Sequence, residues 1–162
     1  MVEAHRQLAS LEDLNQTIDS DDSPEQKLRS VLQQMLKTAA TSQELWGIKI
    51  YLRELASPSP LATKNMTTTV LPKAKKLRVL IQEITGLPCE SAQVQRATAF
   101  VVIPCLSMIM FPESLRIRVL PASATNSEGL LEDMLTYALG GLNALSKPKS
   151  ASFTHKKRKH RK

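Results

Sequence analysis

The chain has 162 residues, 42% of them hydrophobic, with five glycines, two cysteines and a formal net charge of +7. That length suits one domain whose core needs no disulfide framework. Cys89 and Cys105 have no CxxC or Cys/His company, so they read as reduced thiols, with Cys105 a small core residue. Scarce glycine and thinly spread β-branched residues point to an all-α fold.

The charge is unevenly placed. Eight of the 22 Lys and Arg follow Ser146, where no acid lies, which leaves 14 positive against 15 negative charges in the body. The sequence therefore divides into a near-neutral helical domain over 1–146 and a disordered basic tail over 147–162. The start, "MVEAHRQLASLEDL", carries acids and no apolar h-region, so no signal peptide is read there.

Residues 2–16 fit a short amphipathic helix on Val2, Leu8, Leu11 and Leu14. "DSDDSPEQ" then reads as a helix start, with Ser23 at the N-cap, Pro24 at N1 and Gln26 completing a capping box. Asp19, Asp21 and Asp22 hint at a calcium loop, but Pro24 and Ser30 stand where such a loop wants Gly and Glu. The next helix, 24–40, lines up Leu28, Val31, Leu32, Met35, Leu36 and Ala39. A third, 43–56, centres on Trp46 and ends at "SPSP".

The segment 61–85 puts Val70, Ala74, Leu77, Ile81 and Ile84 on one face. Pro72 must kink or split it, because it removes a backbone donor and clashes one turn back. "TGLP" closes it, with Gly86 just past its end. "ATAFVVIPCLSMIMFP" follows, sixteen residues without a charge. A membrane-spanning helix needs about 20 apolar residues, so this run reads as a buried helix over 90–111. Val94, Ala97, Val101, Cys105 and Met108 form one apolar line on it, while Phe100, Ile103, Pro104 and Met110 cover much of the rest. A helix apolar nearly all round is expected to be buried on more than one side. In 112–126, "SLRIRVLP" alternates apolar residues with Arg116 and Arg118 and predicts a partly extended connection. The last helix, 127–146, carries Leu131, Met134, Leu135, Ala138, Gly141, Leu142 and Leu145 on one side.

Catalytic patterns are nearly absent. His155 and His160 lie in the tail, His5 stands alone, and no nucleophile, phosphate-loop or metal-ligand motif occurs, so neither an enzyme nor a metal or cofactor site is read. The run "HKKRKHRK", with Lys156, Lys157, Arg158, Lys159, Arg161 and Lys162, suits phosphate neutralisation without sequence readout; a solubilising tail is the alternative. Met35, Trp46, Ile50, Met66, Phe100, Pro104 and Met108 are the candidate lining of an apolar ligand cavity, against the simpler reading of a plain core.

Four stretches in order, "SPEQKLRSVLQQML", "YLRELASPSP", "LPKAKKLRVLIQEITGLP" and "QRATAFVVIPCLSMIM", give residues 1–146 a resemblance to the C-terminal ligand-binding and dimerisation domain of TetR-family transcriptional regulators, most closely its CecR-like branch. The resemblance implies a bacterial, cytoplasmic all-α domain of about six helices. Its last two long helices would pair with a second copy in a four-helix bundle. Here the candidate interface is Val94, Val101, Met108, Leu131, Met134, Ala138, Gly141, Leu142 and Leu145. It also implies a pocket for an apolar or amphipathic small-molecule effector whose binding is coupled to DNA release. Family members read DNA with an N-terminal helix-turn-helix head. No such head is read in this sequence, so DNA would be reached through an absent head or weakly through the tail. The competing reading is a ligand-free helical interaction protein tethered to nucleic acid by its tail.

Overall fold

The computed structural model describes residues 11–40, 66–111, 113–125 and 127–146. Among these residues every regular element is helical and no strand occurs. The α-helices are α1 (Leu11–Ile18), α2 (Pro24–Ala40), α3 (Leu71–Thr85), α4 (Ala92–Met110), α5 (Glu113–Val119), α6 (Pro121–Thr125) and α7 (Ser127–Ser146), with a π-helical turn at Met66–Val70 leading into α3. The expected helix around Trp46 and the basic tail lie outside the described residues.

Local chemistry sets the helix ends. Ser23 and Gln26 form the expected capping box: the Gln26 amide donates to Ser23 Oγ at 3.3 Å, and the Ser23 amide donates to Gln26 Oε1 at 3.1 Å. Pro72 splits its segment rather than bending one long helix. It occupies the first turn of α3, where its missing N–H costs nothing, and the π turn stands directly before it. Gly86 takes φ 67° past the end of α3, and its amide closes onto Gln82 O at 2.8 Å. Ser91 caps α4, its Oγ accepting from the Val94 amide at 3.2 Å.

Two expectations are corrected. The first helix continues to Ile18, which is buried together with Leu14. The connection expected to be partly extended is helical over Glu113–Val119 and Pro121–Thr125, forming α5 and α6. Alternation needs a neighbouring strand to make it useful, and none exists among the described residues. Pro121 instead opens α6 with its fixed φ.

α3 lies at the centre of the packing, touching α1, α2, α4 and α7. Leu77, Leu80 and Ile81 face this core. They meet Leu28, Val31, Leu32 and Met35 of α2, the Val94–Ala97–Val101–Cys105 line of α4, and Leu131 and Leu142 of α7 in one hydrophobic cluster. The α4 line is the expected one; Leu80 of α3 is an addition to its expected face. No helix among the described residues is long and apolar enough to cross a membrane.

Leu80 is fully enclosed, whereas its neighbour Val79 is 40% exposed. Leu80→Ala is expected to cost about 3 kcal/mol and Val79→Ala less than about 1 kcal/mol, by denaturant unfolding monitored by circular dichroism.

Candidate functional site: the two faces of α4 and α7

α4 and α7 are neighbours in the fold. Each turns one stripe into the core, and each leaves a second apolar stripe uncovered. On α4, Phe100 is 67% and Ile103 57% exposed. They lie on the face opposite Val94, Ala97, Val101 and Cys105. On α7, Tyr137 is 81% exposed, and Gly140, Gly141 and Ala144 are exposed beside it. The run Leu130, Met134, Tyr137, Gly141, Ala144 steps by four and three, the spacing of a helix-packing seam.

Gly140 and Gly141 sharpen this. A Cβ built on either meets nothing within 4 Å. Each glycine costs a helix about 1 kcal/mol relative to alanine. Packing within the described chain gives no reason for that cost.

Pro104 sits inside α4. Its missing N–H deprives the Phe100 carbonyl of its usual helical donor. The Pro104 carbonyl accepts from Ser107 Oγ at 2.7 Å. Beyond the end of α4, the Arg116 guanidinium donates from Nη1 to the Met108 carbonyl at 3.3 Å, tying α5 to that helix end. Arg116 Nε is buried without a hydrogen-bond partner.

The candidate interface residues therefore divide. Val94, Val101, Leu131 and Leu142 are buried in the chain's own core and have almost no surface left for a second copy. Within one chain they support the face from behind, because the inward stripe and the core are the same set of side chains. Met108, Met134, Ala138 and Leu145 are half-buried at the edges, and Gly141 is on the open face. Sequence reasoning places Phe100 in a pocket, counts Ile103 only among the apolar residues covering the rest of its helix, and does not single out Tyr137. The helical phase relative to Val101 and Leu131 was the signal that could have found them.

The described candidate pocket residues lie in different surroundings. Met35 belongs to the closed core, Phe100 points outward, and Pro104 and Met108 are half-buried. Trp46 and Ile50 lie outside the described residues, as does the side chain of Met66. Two open grooves mark the surface among the described residues. One runs between α1 and α3 past Leu11, Asn15, Pro72 and Val79, and the other between α1 and α2 past Gln16, Thr17, Gln33 and Lys37.

A family model described as the C-terminal domain of the HTH-type transcriptional dual regulator CecR matches residues 24–142. The chain belongs to this CecR C-terminal domain family. The matched span starts at Pro24, the first residue of α2, and ends at Leu142 in α7, so it takes in the central helix and both faces just described. Among curated proteins, none matches the chain. Membership of the CecR C-terminal family makes this a regulatory domain of a transcriptional regulator, and its all-helical build agrees with the TetR-type resemblance.

Cys105 shows how closed the inner side is. Its thiol donates to the Val101 carbonyl at 3.7 Å, and burial pushes its pKa up to about 12. The neutral thiol is the form the fold favours. The contribution is therefore complete below the unfolded-state value of 9.0 and is lost as pH rises towards 12. Unfolding free energy is expected to fall over that window in the wild type and less in Cys105→Ala. Maleimide labelling of the native chain at pH 7.5 is expected at half-buried Cys89 and not at Cys105, by intact and peptide mass spectrometry.

Proposed function

We propose that this chain is the effector-sensing, dimerising domain of a TetR-family regulator that acts in the bacterial cytoplasm, with small-molecule binding coupled to DNA release in the intact regulator. The observation that carries the dimer is the uncovered apolar face of α4 and α7, where Phe100, Ile103 and Tyr137 stand in solvent. Large exposed apolar patches mark interaction surfaces, and a twofold pair is the commonest way to close one. The two glycines support the same reading, since they let a facing helix approach closely where nothing in the described chain does. Seen this way, the charge-free part of α4, residues 97–110, is buried on both sides only after association. The effector half of the proposal is supported by family membership and the TetR-type resemblance. Any nucleic-acid affinity of the chain itself belongs to the basic run 155–162 and is blind to sequence.

Sedimentation velocity at micromolar concentration tests the dimer. The wild type is expected to sediment as a dimer, and the double variant Phe100→Asp/Tyr137→Asp as a folded monomer with an unchanged helical spectrum, because both positions are solvated within one chain. A monomeric wild type would overturn the reading. The pair Gly140→Ala/Gly141→Ala is expected to show opposite signs: a helix favoured by about 1–2 kcal/mol and a weaker dimer.

Trp46 is the single tryptophan, so its emission is a clean reporter. Titration with aromatic or acyl compounds is expected to shift it saturably. A dimer whose emission ignores the whole panel would favour a ligand-free interaction protein instead.

A further inference from the structure

Among the described residues, half of the ten exposed large apolar side chains lie in one ten-residue stretch: Phe111, Leu115, Ile117, Val119 and Leu120. They occupy the end of α4 and the connector helix α5. A helix of seven residues is marginal alone and normally persists by burying a face. α5 does not: Ile117 is 50% and Val119 64% exposed, and they point to different sides of it. It is held in place all the same. Arg116 ties it to the Met108 carbonyl, the Leu120 amide donates to Arg116 O at 2.8 Å, and α6 joins it to α7. The connector therefore carries apolar side chains on both of its sides and is fastened to the end of α4 and, through α6, to α7.

The area of the α4/α7 face argues for what covers the ridge. A standard interface removes about 800 Å² from each partner. A fully buried aromatic side chain removes roughly 150–250 Å². At their exposures, Phe100, Ile103 and Tyr137 together offer on the order of 400 Å². The five connector residues, 42–64% exposed, offer a similar amount. Together the two surfaces reach the size of a stable interface, and Phe111, directly past the end of the helix that carries Phe100 and Ile103, joins them along the chain.

We propose that the connector ridge of Phe111, Leu115, Ile117, Val119 and Leu120 docks on a second copy of this chain, clasping the partner at the end of the α4/α7 bundle. The proposal rests on the dimer reading and extends it, because that reading requires only α4 and α7. Twofold symmetry makes the clasp reciprocal: each ridge seats on the partner, so each ridge residue acts twice per dimer.

The test uses the full chain and two sets of variants measured by sedimentation equilibrium, with thermal unfolding as a check on folding. Ile117→Asp/Val119→Asp is expected to raise the dimer dissociation constant by about 100-fold or more, because it buries unpaired carboxylates at the clasp. The fold should tolerate it, as both side chains are solvated within one chain. On a Cys89→Ser background, which removes the other reactive thiol, Val119→Cys is expected to give a dimer-sized species with a bifunctional maleimide reagent and to lose it when Phe100→Asp is added. If Ile117→Asp/Val119→Asp dimerises like the wild type while Phe100→Asp/Tyr137→Asp is monomeric, the clasp is overturned and the α4/α7 dimer stands. If the connector variant instead unfolds several degrees lower with its dissociation constant unchanged, the ridge is covered by its own chain and the clasp is again overturned. A monomeric wild type removes both.

Discussion

Everything in this domain depends on the enclosure of α3. Leu80 and Ile81 have no exposed surface, and four other α-helices contact the helix that carries them. Each such side chain contributes about 1.5–3 kcal/mol by leaving water. The polar positions of α3 then fix how its neighbours sit around it. Lys76 pairs with Asp19 at the end of α1, Glu83 with Lys27 of α2, and Arg78 with Glu90 just before α4. Exposed pairs of this kind contribute about 0–1 kcal/mol each, so they orient a core whose stability comes from burial. Lys27 is the exception in kind: it is itself buried, so its 3.4 Å contact with Glu83 keeps an otherwise unpaired charge out of the core.

Because α3 takes up one side of α4, the other side of that helix is left over. An apolar stripe can be covered by its own chain or by another, and the described helices cover only the inner one. The same holds for α7, whose outward Tyr137 and twin glycines form the complement of its buried leucines. Two adjacent helices with this split each present an outer apolar face. The spacing along α7 is that of helix–helix packing, in keeping with the regulator family. Arg29 and Glu132, hydrogen-bonded at the surface between α2 and α7, hold the latter in register from behind. That contact keeps Arg29 protonated beyond its ordinary range and Glu132 ionised below its own, the hydrogen bond being the main cause in each case.

A regulatory domain needs a core firm enough to transmit a change and an interface where the change is read. The first lies in α2, α3 and the inner stripes. The second is assigned here to the outer stripes and the connector. Two prolines mark these helices: Pro72 joins a π turn to the central helix, and Pro104, inside α4, denies the Phe100 carbonyl its usual helical donor.

Much of this was legible in the sequence. Short-range chemistry determined the capping box at Ser23, the stop at Gly86 and the bounds of α2 and α7, because those signals act within four residues. The 3.6-residue period also picked out the inward line of α4. Two things were decided only by the tertiary structure. The first is which of two apolar faces on one helix goes inward: periodicity finds stripes but cannot rank them, so Phe100 was assigned to a pocket and Leu142 to an interface. Only the position of α3 breaks that tie. The second is the conformation of "SLRIRVLP", whose alternation suits a strand. With no strand among the described residues to pair with it, the backbone satisfies its own hydrogen bonds as a helix, leaving those apolar side chains in solvent.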